Sequence, residues 1–303
     1  MSELAIGLTL VSIGTSLPEL ATSLYAAFQQ DSDFIIGNIA GSNVTNISLI
    51  LGAALICGGA VAFPKSLLKR DIVFMNYVFL LTVLLFAFLR VSVGENGESV
   101  PGFGWICGLV LLCHGGIYCR MLFKQQEIPE NAGNTENFSE EDNKSGIENV
   151  SLLKEFLLLI VGLLMIFAGS KGMVDPVIWT AGELGVSTMV ISATIVAFGT
   201  SVPELAVSIA GVIKKCKNLV LGNIIGSCIF NILLIFGACA LVSPLAIRSG
   251  VTGWVNVLMM IPVSLLLTLF MITGKGKLNR ICGLVLVLVY LVFLGFNARE
   301  AFF

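Results

Sequence analysis

Apolar runs of about 20 residues recur along the whole chain, each closed by a short polar stretch. They predict nine helices, over roughly 3–28, 34–58, 72–90, 102–122, 152–174, 184–213, 219–243, 251–272 and 279–297. About 20 apolar residues carry an α-helix across the hydrocarbon of a bilayer. Two of the runs break their own pattern. Segments 3–28 and 184–213 each hold a Gly-Thr-Ser run, a proline (Pro18, Pro203) and a glutamate (Glu19, Glu204) near their middles. Proline removes an amide donor and clashes with the preceding turn, so both segments are expected to be interrupted and to free backbone carbonyls. In the next helix of each pair, Asn38, Ser42 and Asn46, and again Asn223, Ser227 and Asn231, stand four residues apart. That spacing lays amide and hydroxyl oxygens along one helix face.

The two interrupted regions are copies of one another. GTSLPELATS from Gly14 and GNIAGSNVTNISLILG from Gly37 return, 185 residues later, as GTSVPELAVS from Gly199 and GNIIGSCIFNILLIFG from Gly222. From Ile6 to Gly52 the copies align without a gap, and 21 of 47 positions are identical. Thirteen of those identities are Gly, Ser, Thr, Asn, Pro or Glu, which shared apolar composition does not explain. A duplicated, carboxylate-bearing, Gly/Pro-broken membrane motif points to an inverted-repeat ion transporter. The segment from about 124 to 150, with Glu130, Glu136, Glu140, Glu141, Asp142 and Glu148 among Asn, Ser and Gly, separates the halves. It carries no apolar stripe and reads as a linker; its acids do not follow the spacing of a helix–loop–helix calcium site. The expected organisation is a first membrane repeat over 1–123, an acidic linker over 124–150 and a second membrane repeat over 151–303.

Composition agrees with the membrane reading. The chain is 56% hydrophobic and 12% charged, with a mean hydropathy of +0.97, which leaves little material for a water-soluble domain. Thirteen of its 17 Lys and Arg fall at alternate helix ends and only Arg90, Lys171, Arg248 and Arg299 on the other side. Basic residues collect on the cytoplasmic face, which predicts a cytoplasmic N-terminus and linker and an external C-terminus. Glu3 stands where a signal peptide would carry a basic region. The eight cysteines form no CxxC pair and read as small hydrophobes rather than disulfides or a zinc site. His114, the one histidine, lies outside both copies and reads as a packing or interface-proximal residue.

The chemistry therefore concentrates on the copies. An ionisable side chain at bilayer depth costs roughly 2.5–3.5 kcal/mol even on the lenient insertion scale. The predicted spans hold only Glu19 and Glu204 at such depth, with no Lys or Arg beside them, which leaves a cation or a proton to compensate. Thr15 and Ser16, and Thr200 and Ser201, precede each Glu by four and three residues. Two carboxylates with several neutral oxygens suit a hard divalent ion such as calcium, which takes six to eight oxygen ligands, and the same oxygens suit sodium. An intramembrane enzyme would need a nucleophile or a paired-aspartate dyad, and neither is visible. A cation channel shares the ligand chemistry but rarely buries two carboxylates in a broken-helix repeat.

GTSLPEL…GNIAGSN…N, returning as GTSVPEL…GNIIGSC…N, resembles the paired repeats of the cation/calcium exchanger (sodium/calcium exchanger) superfamily, and within it the bacterial calcium/sodium antiporters. The resemblance spans essentially the whole chain. It implies an all-α membrane protein, an inverted-repeat transporter of two homologous halves with ten helices, where nine are predicted here. The unmatched element is a helix preceding the first repeat, and the expectation is that an apolar segment is encoded upstream of Met1. It also implies that Glu19 and Glu204 are the central calcium and sodium ligands, with Ser16, Ser201, Thr15, Thr200, Ser42, Ser227, Asn46 and Asn231 completing the ion site. The implied mechanism is alternating access in a multi-pass protein of the bacterial inner membrane. Its partners are calcium, sodium and the lipid bilayer, with no resident cofactor and no nucleic acid, and a monomer is compatible with the reading. Asn231 stands where potassium-dependent relatives have Asp, which argues against potassium co-transport. Cys228, where the first copy has Asn43, is read as no direct ligand. Proton-coupled calcium antiport, potassium-dependent exchange and an inactive truncated membrane protein stay open as alternatives.

Overall fold

The computed structural model describes residues 3–93, 98–124 and 152–302; the linker beyond Lys124 lies outside them. Six continuous helices are long and apolar enough to cross a membrane: α3 (Ser32–Gly58), α4 (Leu67–Phe88), α5 (Trp105–Leu122), α9 (Lys217–Val242), α10 (Gly250–Thr273) and α11 (Arg280–Ala301). Two further spans are bent pairs, α1 (Leu4–Thr15) with α2 (Leu17–Phe28), bent by 42°, and α7 (Thr188–Thr200) with α8 (Val202–Ile213), bent by 41°. Helix α6 (Leu152–Leu184), 33 residues long, fills the remaining predicted segment.

Here the structure corrects two boundaries. The sequence pattern closes one span at 174 and opens the next at 184, yet α6 runs on through Asp175–Glu183, with Pro176 inside it. Gly185, at φ +65°, turns the chain, and Ser187 caps α7 by accepting a hydrogen bond from the Met189 amide. Ten more residues belong to α6 than apolarity suggests, because a turn needs a residue that tolerates positive φ and a cap, and Gly185 and Ser187 are the first pair to supply both. Small strands are the second departure from an all-helical reading. β1 (Val61–Ala62) pairs with β5 (Lys277–Leu278), and β2 (Arg90–Val93), β3 (Glu98–Phe103) and β4 (Leu245–Ala246) form an antiparallel ladder at helix ends.

The backbone repeats as the sequence does. Both broken helices carry a wide π-turn upstream of the break, over Gly7–Val11 and Ser192–Val196, positions 185 apart. Both following helices carry one at the third residue of the polar row, over Thr45–Ile50 and Asn231–Phe236. π-bulges of this kind are rare and gather at functional sites. Ser16 and Ser201 mark the two breaks with the same dihedral angles, φ −84° and ψ 7°, and the proline follows in the first turn beyond each.

The halves are packed crosswise. α1 lies on α9, whereas α7 lies on α3. Glycine makes these approaches possible: a Cβ on Gly41 would run into the Ala193 backbone, one on Gly37 into Ser192 and Met189, and one on Gly226 into Ser12 and Leu8. The four-residue spacing of Gly37 with Gly41, and of Gly222 with Gly226, thus serves close helix packing. Polarity is distributed accordingly. Asn38, Ser42, Asn46, Asn223, Ser227 and Asn231 are fully buried, while Leu269, Ile272, Leu288 and Val292 are exposed on the perimeter. A polar centre inside an apolar perimeter is the arrangement of a protein whose solvent is lipid.

Candidate cation site

The two glutamates stand in the first turns of α2 and α8, immediately beyond the breaks, and neither is accessible to solvent. Each is reached by the serine from the other half's break. Ser16 donates to Glu204 Oε1 at 3.2 Å, and Ser201 donates to Glu19 Oε1 at 3.1 Å. Each preceding threonine also crosses over: Thr15 donates to Asn223 Oδ1 at 3.2 Å and Thr200 to Asn38 Oδ1 at 3.3 Å. This reciprocal exchange brings Thr15, Ser16, Glu19, Thr200, Ser201 and Glu204 into one cluster. The second oxygen of each carboxylate, Oε2, is buried without a hydrogen-bond partner.

The residues of the polar rows divide. Ser227 donates to Glu204 Oε1 at 3.2 Å, whereas Ser42 turns to the Ala197 carbonyl at 3.4 Å and makes no bond to Glu19. Asn231 is oriented by Asn43, whose Oδ1 accepts from Asn231 Nδ2 at 3.2 Å, and Asn231 Oδ1 is left without a partner. Asn46 has none at either amide atom. Asn38 and Asn223, which belong to the rows but not to the predicted ligand set, prove to be the direct partners of the crossing threonines. The Asn43 position, read from the sequence as no direct ligand, orients Asn231; its signal was visible as a polar difference between the copies, Asn43 against Cys228, beside Thr45 against Phe230 and Ser48 against Leu233.

Charge balance separates this cluster from every other buried acid. Asp71, outside the predicted spans, is also fully buried, but Arg70 donates to it at 2.8 and 3.0 Å and the Tyr118 hydroxyl at 3.0 Å. Among the described residues that is the one ion pair. Glu19 and Glu204 have no basic partner among the described residues and take side-chain hydrogen bonds only from hydroxyls, with the Oε2 of each left unpaired in a buried polar centre. Among the described residues no three His, Cys, Asp or Glu side chains converge to form a metal centre; a cation here would rest on two carboxylates and neutral oxygens, the donor set of a hard ion. His114 lies apart, half-buried, with Tyr77 at 3.1 Å and the Val110 carbonyl at 2.8 Å. Of the cysteines, Cys228 and Cys239 are buried and Cys57 and Cys113 exposed, so the expectation of small buried hydrophobes holds for only some of them.

The profile of the sodium/calcium exchanger protein family matches residues 1–123 and 154–299, both copies and nearly all the helical chain. The chain belongs to the sodium/calcium exchanger family. Its relatives include the putative antiporter CaxA of Alkalimonas amylolytica, 32% identical over 96% of this chain and 86% of that protein. The sodium/calcium exchanger MaX1 of Methanosarcina acetivorans is 35% identical over 97% of this chain and 88% of that protein. Among solved structures, the sodium-calcium exchanger NCX_Mj in crystals soaked with sodium and strontium superposes with a TM-score of 0.67 at 30% identity, covering 97% of this chain and 87% of that one. The helical architecture is thus that of an exchanger of this family, a multi-pass membrane protein and a transporter.

Proposed function

We propose that this chain is a secondary antiporter that exchanges calcium for sodium across the bacterial inner membrane by alternating access. The observation that carries the reading is the crossed pair of serine–glutamate bonds, which unites a carboxylate from each half at one buried locus with no basic side chain among the described residues to neutralise them. One calcium ion neutralises two carboxylates, and so do sodium ions entering in its place. Occupancy by either cation relieves the repulsion between Glu19 and Glu204, and their joint presence would exceed the oxygens available. Competition for one set of ligands then couples the opposing fluxes.

The proposed ligands are Glu19, Glu204, Ser16, Ser201, Thr15, Thr200, Ser42, Ser227, Asn46 and Asn231. Broken helices suit the task, since irregular backbone at membrane depth is tolerated where it lines a cavity or is buried in protein. In transporters of this kind such helices place ions at the midplane between inverted repeats, and the rocking of one repeat against the other opens the site to alternate sides. The crossed packing of α1 on α9 and α7 on α3 supplies two matching surfaces for that motion.

Calcium uptake into inverted membrane vesicles tests the reading. An imposed sodium gradient should drive uptake, and a proton gradient of equal size should not. Uptake driven by protons alone would replace sodium coupling with proton coupling, and uptake down its own gradient with neither would make the protein a channel.

A further inference from the structure

The two row-leading amides are not fastened alike. In the first half, Asn38 Nδ2 donates to Thr22 Oγ1 at 3.3 Å and to Ser23 Oγ at 3.1 Å, while its Oδ1 accepts from Thr200. The Thr22 hydroxyl spends its own proton on the Pro18 carbonyl at 2.8 Å, so toward Asn38 it can only accept, which fixes the amide with its amino group toward Thr22 and its carbonyl toward Thr200. In the second half, Val207 stands where Thr22 stands in the first, so that anchor is missing. Asn223 Oδ1 accepts from Thr15, but its Nδ2 has no partner, and neither has the hydroxyl of Ser208, the counterpart of Ser23. All these groups are buried. The single partner of Asn223 is a hydroxyl, which donates or accepts equally well, so turning the amide over costs no hydrogen bond.

We propose that Asn223 is a turning amide and the positioning residue that eases cation release from the second half of the site; this rests on the exchange reading above. With a cation held, Asn223 presents Oδ1 to the cluster. When the cation leaves, the amide rotates about its terminal bond and presents Nδ2 to the Thr15–Ser227–Glu204 group, where Ser227 and Thr15 lie 3.5 Å apart and Ser227 bonds Glu204. A donor facing the cluster then stands in part for the departed charge. Asn38 cannot do this, because its amino group is held by Thr22 and Ser23. Release is therefore asymmetric, and begins on the side of Glu204.

Val207→Thr installs the missing anchor and Thr22→Val removes the existing one. Sodium-driven calcium uptake in vesicles, with KM and kcat separated, reads both. A hydrogen bond contributes on the order of 1 kcal/mol, about fivefold. Val207→Thr, locked carbonyl-in, should lower KM for calcium and kcat together, each about three- to fivefold. Thr22→Val should move KM the opposite way. Calcium-induced thermal stabilisation of the purified variants gives the same order without transport. A Val207→Thr protein with unchanged constants, or with a reduced kcat and an unchanged or raised KM, overturns the turning amide. Wild-type protein that neither binds nor transports calcium would instead overturn the exchange reading itself.

Discussion

The two halves of this protein carry nearly the same proposed ligands and hold them differently. Ser16 with Glu204 and Ser201 with Glu19 are matched within 0.1 Å, at 3.2 and 3.1 Å. Around that symmetric centre the supports diverge. The first half anchors Asn38 and leaves Asn46 free; the second anchors Asn231, through Asn43, and leaves Asn223 half-free. The residues responsible, Thr22 against Val207 and Asn43 against Cys228, lie outside the proposed ligand set and beside it. Duplication preserved the atoms that would meet the ion, and the surrounding packing was free to differentiate them.

The strongest way to break the comparison is to remove charge from one half. Glu19→Gln and Glu204→Gln should each abolish calcium transport, a loss of about a hundredfold or more, because one remaining carboxylate cannot neutralise a divalent ion and an uncompensated charge at bilayer depth costs roughly 2.5–3.5 kcal/mol. Sodium-driven calcium uptake measures this, with membrane insertion checked by fractionation. Residual activity near wild type in either variant would end the two-carboxylate site, and a large difference between them would end its symmetry.

The crossed packing predicts a paired effect on stability. Gly41 meets the Ala193 backbone and Gly226 meets Ser12 and Leu8, whereas a Cβ at Gly162 meets nothing. Gly41→Ala and Gly226→Ala should each destabilise by roughly 1–3 kcal/mol, the usual cost of overpacking. Gly162→Ala should be neutral or slightly stabilising, as expected for alanine in a helix. Thermal unfolding in detergent measures all three, and equal behaviour of the three would show that the helices do not cross as described.

How much of this was legible follows from the kind of signal each feature leaves. The spans were readable because lipid demands long apolar runs, and the site's carboxylates because a glutamate inside such a run is conspicuous. The break at Ser16 and Ser201 was readable from proline, but the crossing was not: nothing in a linear repeat says that Ser16 serves Glu204 rather than Glu19. Asp71 was placed in a loop because apolarity resumes only at Ile72, although helix α4 begins at Leu67 and Arg70 accompanies the acid inward. Asn38 and Asn223 were seen as row members, and their roles became clear only when the opposite threonines arrived beside them. The ladder of β2, β3 and β4 is too short to leave an alternation above the surrounding apolar background.

A finer comparison sets Ser227 against Ser42. Ser227 donates to Glu204, and Ser42 to a neutral carbonyl at the longer distance of 3.4 Å. Hydrogen bonds to charged groups contribute about 1.5–3 kcal/mol and neutral ones nearer 1. Ser227→Ala should therefore weaken half-saturation by calcium about tenfold, and Ser42→Ala by less than about fivefold. Ser16→Ala and Ser201→Ala, whose bonds are matched, should agree within about twofold. Reversal of the Ser227 and Ser42 order would mean that Ser42 rotates to Glu19 when the ion binds, restoring symmetry to the loaded site.

The smallest expected effect is that of potassium. Asn46 and Asn231 are equivalent positions and both are neutral amides, each with at least one buried oxygen lacking a partner. An aspartate at either would add a third negative charge and call for another cation; with amides, the two glutamates set the charge that the transported ions must balance. Replacing potassium by choline at constant sodium should thus leave calcium uptake unchanged within about twofold. Asn231→Asp then becomes the sharpening experiment, since it breaks the equivalence of the two amides by one charge. It should create a dependence on an added monovalent cation or on proton concentration that the parent lacks. Uptake by the parent that stops without potassium would place a potassium site among the neutral oxygens, and Asn46, whose amide is unpaired at both ends, would be the first residue to replace.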